Sequence, residues 1–200
     1  ETFDLLSKYG FVATGFPEEY GGTGEDRIAQ LIITEEIAKV CVATSSILSI
    51  HQSSANCINI FGTDEQKEEY LPQLICDGVV GAFALTEPNA GSDASNVQTR
   101  AVEDGDSYIL NGTKCFISNA GAAEIYIVLA MTEPKKKTRG ITAFIVHKDM
   151  PGFSVGKIED KMGIRASKTG ELILDDVRVP KENILGKYNS GFKVALTGID

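Results

Sequence analysis

Hydrophobic residues in the first part of the chain recur at the spacing of amphipathic helices. In one segment apolar residues recur at spacings of three and four, the interval that places side chains on one face of a helix. The first group is Ile28, Leu31 and Ile32, and the second is Ile33, Ile37 and Val40. Glu35 lies one turn before Lys39 and adds a supporting pair of opposite charges. This pattern predicts a helix with one buried apolar stripe.

A second helical pattern follows and ends at a glycine. Its apolar positions are Leu48, Ala55, Ile58 and Phe61. Gly62 is predicted to close this helix in the left-handed conformation. Thr63 and Gln66 have the spacing of a capping box, so a third helix is predicted to begin there. Pro72 is expected to kink or restart the third helix, and Gly78 to end it.

From Val79 onward the pattern changes to short runs rich in β-branched and aromatic residues. The runs are GAFAL, SYILNG, KCFIS, IYIVLAM, ITAFIVH and ELILDDVRV, separated by Gly, Pro, Asn and Asp. Without helical patterns between them, these strands predict an antiparallel barrel-like domain or a pair of packed sheets. The expected fold class is α+β, with a helical segment over 1–78, a β-rich domain over 79–186 and the start of another helical domain over 187–200.

Composition and charge narrow the classes of partner. Hydrophobic residues make up 42% of the chain and charged residues 24%, which is typical of a globular domain. The net charge of -9 argues against a nucleic-acid partner, although a local patch can still bind phosphate. No apolar run reaches membrane-spanning length, so no membrane partner is expected.

The cysteines and histidines predict neither a metal site nor a disulfide scaffold. Cys41, Cys57, Cys76 and Cys115 form no CxxC pair, and the chain has only two histidines. Four reduced thiols in an intracellular protein are therefore expected. His51 falls at an apolar level of a predicted helix, which favours an interior or interface residue with its hydrogen bonds satisfied over a base.

The segment FALTEPNAGSDAS at 83–95 is a candidate ligand loop. Thr86 and Ser92 carry hydroxyls that can donate hydrogen bonds, Pro88 fixes a turn, and Gly91 permits close approach or a positive φ. A polar connection between two strands is the alternative interpretation.

A second candidate segment is NGTKCFISNAG at 111–121. Asn111 and Gly112 predict a hairpin turn, with a strand that begins at Thr113. Phe116 and Ser118 would then share one face of that strand, an aromatic ring beside a hydroxyl, which suits a flat conjugated ligand. The alternative is a core phenylalanine next to a surface serine.

These two segments, in this order, resemble the middle domain of the acyl-CoA dehydrogenase family. Further stretches resemble the same family: YGGTG at 20–24, FGTDEQKEEYLPQL at 61–74, RGITAFIV at 139–146, KMGIRASKTGELILDDVRVP at 161–180 and ENILG at 182–186. The resemblance implies a flavoprotein with FAD as its cofactor. It also implies a helical C-terminal domain that is missing from these residues.

The resemblance assigns roles to particular positions. It implies that the flavin is lined by Phe83, Ala84, Leu85, Thr86, Gly91, Ser92, Phe116, Ile117 and Ser118. Thr86 would bond the isoalloxazine edge, and Ser118 would lie near N5. Ser92 would also contact the acyl-CoA ligand, while Thr138 and Arg139 would approach its phosphate end. Phe116 and Ser118 replace the more usual Trp and Thr, and both keep the chemistry.

The implied activity is α,β-dehydrogenation of acyl-CoA thioesters, with butyryl-CoA as the closest match. The resemblance places the catalytic glutamate beyond Asp200, so no catalytic residue is expected here. Electron-transferring flavoprotein and further copies of the chain, forming a tetramer in the full-length protein, are the implied partners. The implied location is the cytoplasm in a bacterium or the mitochondrial matrix in a eukaryote.

Three alternatives remain open at this point. The substrate class could be isovaleryl-CoA or another short branched thioester. Acyl-CoA oxidases share the same framework of motifs. A catalytically incomplete binding or oligomerisation fragment without turnover is the alternative from a different class.

Overall fold

A computed structural model describes residues 2–199, and their first part is helical. The helices are α1 (Thr2–Lys8), α2 (Arg27–Val40), α3 (Val42–Phe61) and α4 (Asp64–Ile75), followed after the strands by α5 (Gly191–Ile199). Short 3-10 turns occur at Glu18–Tyr20, Pro134–Gly140 and Lys181–Asn183. No helix among residues 2–199 is both long and apolar enough to cross a bilayer.

Helix α2 forms where the periodicity predicts it, but the prediction of a buried stripe is wrong for the described residues. Ile28, Leu31 and Val40 are 64%, 67% and 90% exposed, and Gln30 is the buried residue of this helix. The Gln30 amide donates to the Thr14 carbonyl at 3.2 Å. Periodicity identifies an apolar stripe, but it does not identify which element covers that stripe.

The junction between α3 and α4 depends on a close approach and on a capping box. Gly62 has φ -65°, so the left-handed conformation predicted there is wrong. A Cβ at Gly62 would lie 2.6 Å from the Ile58 carbonyl oxygen, which explains the glycine differently. The capping box is confirmed, because Gln66 N–H donates to Thr63 Oγ1 at 3.2 Å and Thr63 N–H donates to Gln66 Oε1 at 3.1 Å.

Of the two effects predicted for Pro72, a restart of α4 is wrong, and a kink stays a prediction. The helix continues past Pro72 to Ile75, and the N–H groups of Cys76 and Asp77 both donate to the Pro72 carbonyl. Gly78 follows with φ 77°, a left-handed conformation that ends the helical part.

Eight strands follow the first four helices. They are β1 (Gly81–Ala84), β2 (Arg100–Asp104), β3 (Ser107–Ser118), β4 (Ile125–Met131), β5 (Ile141–His147), β6 (Phe153–Ile158), β7 (Thr169–Pro180) and β8 (Ile184–Leu185). Their order is β6-β7-β3-β2-β4-β5-β8, and β1 pairs with β4. Most pairs are antiparallel, whereas β1 runs parallel to β4, as does the single β2–β4 contact. The α+β class with a mostly antiparallel sheet is confirmed.

Strands β4 and β5 are buried on both faces, which fixes how the sheet is folded. On one face Ile127 and Ile145 belong to a core shared with α3, α4 and α5. On the other face Val128 and Val146 pack in a second core with residues of β3 and β7. The sheet therefore curls around the second core, in a barrel-like arrangement, and carries the helices on its outer face.

The hairpin predicted at Asn111 and Gly112 is wrong. Strand β3 passes through both residues, and its pairing with β7 shifts register there. Asn111 exchanges two hydrogen bonds with Asp176 of β7, at 2.8 and 2.9 Å. A Cβ at Gly112 would lie 2.5 Å from Thr99 Oγ1, so the glycine permits a close approach. The actual tight turn is at Gly105, between β2 and β3.

Candidate functional site

The first candidate segment is a strand end followed by a tight turn. Glu87 N–H donates to the Ala90 carbonyl at 3.1 Å and Ala90 N–H donates back at 3.0 Å, so Pro88 occupies the first corner of a turn, as predicted. Thr86 precedes this turn and is half-buried. Its hydroxyl has no hydrogen-bond partner among residues 2–199. It is therefore free to bond a ligand.

The second candidate segment is the end of β3, where the strand is irregular. The pairing with β7 shifts register between Lys114 and Ile117. Phe116 lies within this shift with φ 56°, and its side chain is 64% exposed. A positive φ is uncommon for a bulky residue, so the fold holds this ring outward at a cost in backbone strain. Ser118 is half-buried, and its hydroxyl has no partner among the described residues.

Hydrogen bonds bring the two segments together. Cys115 N–H donates to the Thr86 carbonyl at 2.9 Å. The side-chain amide of Asn119 donates to the Gly81 carbonyl at 3.1 Å and to the Ile47 carbonyl of α3 at 3.2 Å. The strand that carries Phe116 and Ser118 is thus fastened to the strand end that carries Thr86.

A fully buried ion pair, which the sequence analysis did not identify, lies between these segments. Lys114 Nζ is 2.6 Å from Glu87 Oε1, and both side chains are almost completely enclosed. Burial lowers the pKa of Lys114, while the Glu87 carboxylate opposes that shift. Burial works to raise the pKa of Glu87, but the Lys114 ammonium and the hydrogen bonds from Thr99 and Gln98 together hold that pKa below its usual value. Both groups are charged at neutral pH.

The nine positions assigned to the flavin differ in what they can offer a ligand. The side chains of Ala84, Leu85 and Ile117 are in the two hydrophobic cores, so these residues can present only their backbone. Phe83 is half-buried, and its ring lies beside Gly198 of α5. The side chains available to a ligand are those of Thr86, Ser92, Phe116 and Ser118.

Of the two roles predicted for Gly91, the positive φ is wrong, and close approach of its backbone to a ligand stays a prediction. Its φ is not positive, and a Cβ there would meet no atom of the described chain within 4 Å. Gly91 and Ser92 are both exposed in the loop after the turn. Close approach of the Gly91 backbone could therefore serve only a group outside residues 2–199.

A cleft of about 300 Å³ lies beside the first segment and contains basic side chains. It is lined by Asp93, Ser95, Asn96, Val97, Gln98, Arg100, Met131, Pro134 and Lys137. The exposed side chains of Arg100 and Lys137 form no ion pair within residues 2–199. Thr138 and Arg139 are in the same 3-10 turn as Lys137 but do not line the cleft. The geometry therefore adds Arg100 and Lys137 as anion-binding candidates that the sequence analysis missed.

The histidine and the cysteines singled out in the sequence show no arrangement of a functional site among residues 2–199. His51 is completely buried; Gly81 N–H donates to its Nδ1 at 3.0 Å, and burial lowers its pKa to about 3. It is an interior residue, as predicted, but the expectation that its hydrogen bonds are satisfied is wrong, because Nε2 has no partner within residues 2–199. All four cysteines are free. No group of three or more His, Cys, Asp or Glu in the described part of the chain could hold a metal.

The donor set fits a flat aromatic cofactor such as the flavin of FAD. An exposed ring, held outward at Phe116, can pack on one face of a conjugated system. The two unpaired hydroxyls, on Thr86 and Ser118, can donate to ring heteroatoms. The hydrogen bond between Cys115 and Thr86 holds these groups on neighbouring segments.

Comparison with known proteins identifies the same family twice along the chain. The family described as "Acyl-CoA dehydrogenase, N-terminal domain" matches residues 1–77, and "Acyl-CoA dehydrogenase, middle domain" matches residues 82–177. The short-chain specific acyl-CoA dehydrogenase of Clostridium acetobutylicum is 47% identical over 201 residues, covering 100% of this chain and 53% of the relative. The acryloyl-CoA reductase (NADH) of Anaerotignum propionicum is 50% identical, covering 100% of this chain and 51% of the relative.

Solved structures agree with these matches. Butyryl-CoA dehydrogenase from Megasphaera elsdenii superimposes with a TM-score of 0.96 at 48% identity, covering 98% of this chain and 53% of that chain. A solved chain from work on the electron transferring flavoprotein of Acidaminococcus fermentans gives a TM-score of 0.97 at 50% identity, covering 98% and 52%. The chain spans about half the length of the relatives it matches. With both family descriptions matched in order, the chain belongs to the acyl-CoA dehydrogenases, a family of FAD-dependent oxidoreductases.

Proposed function

We propose that the protein containing this chain catalyses FAD-dependent α,β-dehydrogenation of short-chain acyl-CoA thioesters, with butyryl-CoA as the type substrate. Residues 79–186 supply its flavin-binding half. The observation that carries the proposal is the hydrogen bond between Cys115 N–H and the Thr86 carbonyl, which fastens the two ligand segments side by side. Relatives named short-chain and butyryl-CoA dehydrogenases, at 47% and 48% identity, support the substrate class.

Each accessible side chain has a distinct role in this proposal. Bound FAD supplies the hydride acceptor for the β-hydrogen of the substrate. The Thr86 and Ser118 hydroxyls donate hydrogen bonds that orient the flavin ring, and Phe116 packs against its face. Ser92, further along the exposed loop, contacts the thioester ligand. No carboxylate among the described residues is assigned as the base that removes the α-proton.

The phosphate end of the CoA ligand belongs in the basic cleft in this proposal. Arg100 and Lys137 line that cleft and have no carboxylate partner in residues 2–199, so their charges are available to phosphate oxygens. Thr138 and Arg139 adjoin it at the end of the same 3-10 turn. Phosphate binding here is compatible with a net charge of -9, because it needs only a local concentration of cations.

A second candidate function is the reverse reaction, reduction of an enoyl-CoA. The relative from Anaerotignum propionicum, 50% identical, carries the name acryloyl-CoA reductase (NADH). The same flavin and thioester subsites would serve both directions, so the accessible side chains do not distinguish them. Electron transferring flavoprotein is the proposed redox partner, in line with the chain of TM-score 0.97 from the Acidaminococcus fermentans work. A homo-oligomer is proposed for the full-length protein.

Anaerobic titration of the purified full-length protein tests the function directly. Butyryl-CoA should bleach the visible absorption of the bound flavin, and isovaleryl-CoA should bleach it less at the same concentration. Chemically reduced flavin should be reoxidised by crotonyl-CoA, which measures the reverse direction. A colourless protein that takes up no FAD, or a bound flavin that neither thioester changes, would show that the proposal is wrong.

A further inference from the structure

We propose that the buried pair of Lys114 and Glu87 is a positioning device that sets the distance between the two flavin-binding segments; this inference rests on the proposed function. Neither side chain can touch a ligand, because Lys114 is fully buried and Glu87 nearly so. The pair therefore acts through the residues beside it. Thr86 lies next to Glu87 in sequence, and Phe116 lies two residues after Lys114.

The ammonium group of Lys114 joins three elements at one point. Its Nζ donates to Glu87 Oε1 at 2.6 Å, to the Leu85 carbonyl at 3.1 Å and to the Leu129 carbonyl of β4 at 2.6 Å. A lysine has three N–H donors, so all of its hydrogen-bonding capacity is used. Lys114 thus connects β3 to the end of the β1 segment and to β4.

The carboxylate of Glu87 extends this network to the segment that leads into β2. Gln98 N–H donates to Oε2 at 2.6 Å, and Thr99 N–H donates to Oε1 at 3.1 Å. Thr99 is also the residue against which Gly112 of β3 packs. The Glu87 side chain, near the start of the loop from Thr86 to Gln98, therefore also binds the end of that loop.

The contacts of the pair bracket Thr86 on both sides. Lys114 binds the Leu85 carbonyl before Thr86 and the Glu87 side chain after it. The Thr86 carbonyl itself accepts from Cys115 N–H, the residue after Lys114. Three consecutive residues of the first segment are thus tied to two consecutive residues of β3, close to the irregularity that turns Phe116 outward.

Folding stability alone is a weak explanation for such a pair. Desolvation of two buried charges largely cancels their attraction, and well-packed uncharged replacements are often equally stable. Rigid geometry is what the paired charges add, because a fully satisfied buried network permits one arrangement of its segments. In the arrangement that this network holds, the Thr86 hydroxyl and the Phe116 ring are both positioned to contact the same ligand.

The test uses the full-length flavoprotein and separates geometry from stability. Lys114→Met removes one charge, and Lys114→Met combined with Glu87→Gln removes both while keeping an acceptor for the Gln98 and Thr99 N–H groups. Leu71→Ala is the matched control, because Leu71 is fully buried in the helical part and lies outside both flavin segments. Each variant is measured for FAD dissociation constant, visible circular dichroism of the bound flavin, and melting temperature.

Both Lys114 variants should bind FAD roughly five- to a hundredfold more weakly and should alter the flavin circular dichroism. Leu71→Ala should lose melting temperature while it keeps the wild-type affinity and spectrum. If Lys114→Met does not fold, the same comparison is made with the double variant. A double variant with wild-type affinity and spectrum would overturn the inference, as would a Leu71→Ala protein that loses FAD to the same extent. A wild-type protein that binds no FAD would instead refute the proposed function.

Discussion

At the scale of single residues, the hydroxyls of Thr86 and Ser118 are the most direct test of the flavin subsite. Both lack a partner among residues 2–199 and lie on segments fastened together through Cys115. Thr86→Ala or Ser118→Ala should weaken FAD binding or flavin function roughly three- to a hundredfold, the range for loss of one hydrogen bond in a dry site. Titration of FAD into apo-protein measures this.

Ser92→Ala is the matched control for those two variants. It also removes one unpaired hydroxyl, but from the exposed loop beyond the Pro88 turn. It should change acyl-CoA binding, followed by perturbation of the flavin spectrum, more than FAD affinity. Release of FAD by Ser92→Ala, with normal FAD binding in the other two variants, would reverse the assigned roles.

Lys137 and Lys135 provide a comparison within one 3-10 turn. Lys137 lines the basic cleft, and Lys135 does not. Lys137→Ala should weaken acyl-CoA binding about two- to fivefold, as expected for one exposed charge, and should reduce its dependence on salt. Lys135→Ala should leave both unchanged. Equal effects of the two substitutions would place the phosphate outside the cleft.

His51 should make the stability of the protein depend on pH. Burial lowers its pKa in the folded protein to about 3, from an ordinary value of 6.5. Between these two pH values His51 is therefore protonated in the unfolded chain and neutral in the folded one. The stability due to neutral His51 is complete above pH 6.5 and is lost as pH falls toward about 3, at about 1.4 kcal/mol per pH unit. Urea unfolding of wild type and His51→Gln between about pH 7 and about pH 4 measures the difference. Parallel curves would contradict the prediction.

The flavin site is predicted through the resemblance of two segments to a family, whereas the buried framework between them is not predicted. The residue types of Thr86, Phe116 and Ser118 alone leave a polar connection and a core phenylalanine as alternatives. Nothing in the sequence indicates that Lys114 is buried, because a lysine in a strand is normally solvated. Its burial follows from the irregularity in β3, where Lys114 and Cys115 are both enclosed. Strict alternation along a strand does not predict that arrangement.

At the scale of elements, the start of α4 is both a helix cap and a link between the two parts of the fold. Gln66 completes the capping box with Thr63, and its amide also donates to the carbonyls of Glu182 and Ile184, at 2.6 and 2.9 Å. Because Thr63 holds Gln66 in the capping box, it supports this link to residues 182–184 as well as the start of α4.

Thr63→Ala should lower the free energy of unfolding by about 1 kcal/mol, the usual effect of losing a threonine cap. Thr23→Ala, an exposed threonine with no side-chain hydrogen bond in residues 2–199, should change it by less than about 0.5 kcal/mol. Urea denaturation of both variants measures the difference. Equal values would mean that the capping box does not stabilise α4.

The capping box and the mistaken hairpin show when a local signal is sufficient. Thr63 and Gln66 satisfy each other within one turn of helix, so their spacing determines the structure. Asn111 and Gly112 have an equally strong local preference, but Asn111 bonds Asp176 and Gly112 packs on Thr99. Contacts between distant segments override the turn, and no local pattern reports them.

At the scale of the whole molecule, the apolar side chains on the exposed side of α2 depart from the pattern of a closed core. A groove of about 550 Å³ runs beside it, lined in part by Phe11, Ile32, Ile37 and Val40. The helix itself could be predicted from the spacing of its apolar residues. What lies against the stripe could not, because periodicity carries no information about the partner surface.

The division into a helical part and a strand-rich part followed from a change in periodicity near Val79. The curl of the sheet could not be predicted from that change, because it depends on the burial of β4 and β5 on both faces. Ile127 and Val128 are consecutive and both completely enclosed, a pattern equally consistent with a buried helix or a buried strand. The pairing of β4 with β1 and β5 makes the segment a strand, and the two hydrophobic cores enclose its two faces.

The most direct test of the central claim is a crystal structure of the full-length protein with FAD bound. The distances from Thr86 Oγ1 and Ser118 Oγ to the nearest heteroatom of the isoalloxazine ring are the quantities to measure. Both should be within about 3.2 Å, with the Phe116 ring stacked or edge-on to the flavin. A flavin bound elsewhere, with both hydroxyls farther than about 3.5 Å from any of its heteroatoms, would contradict the account.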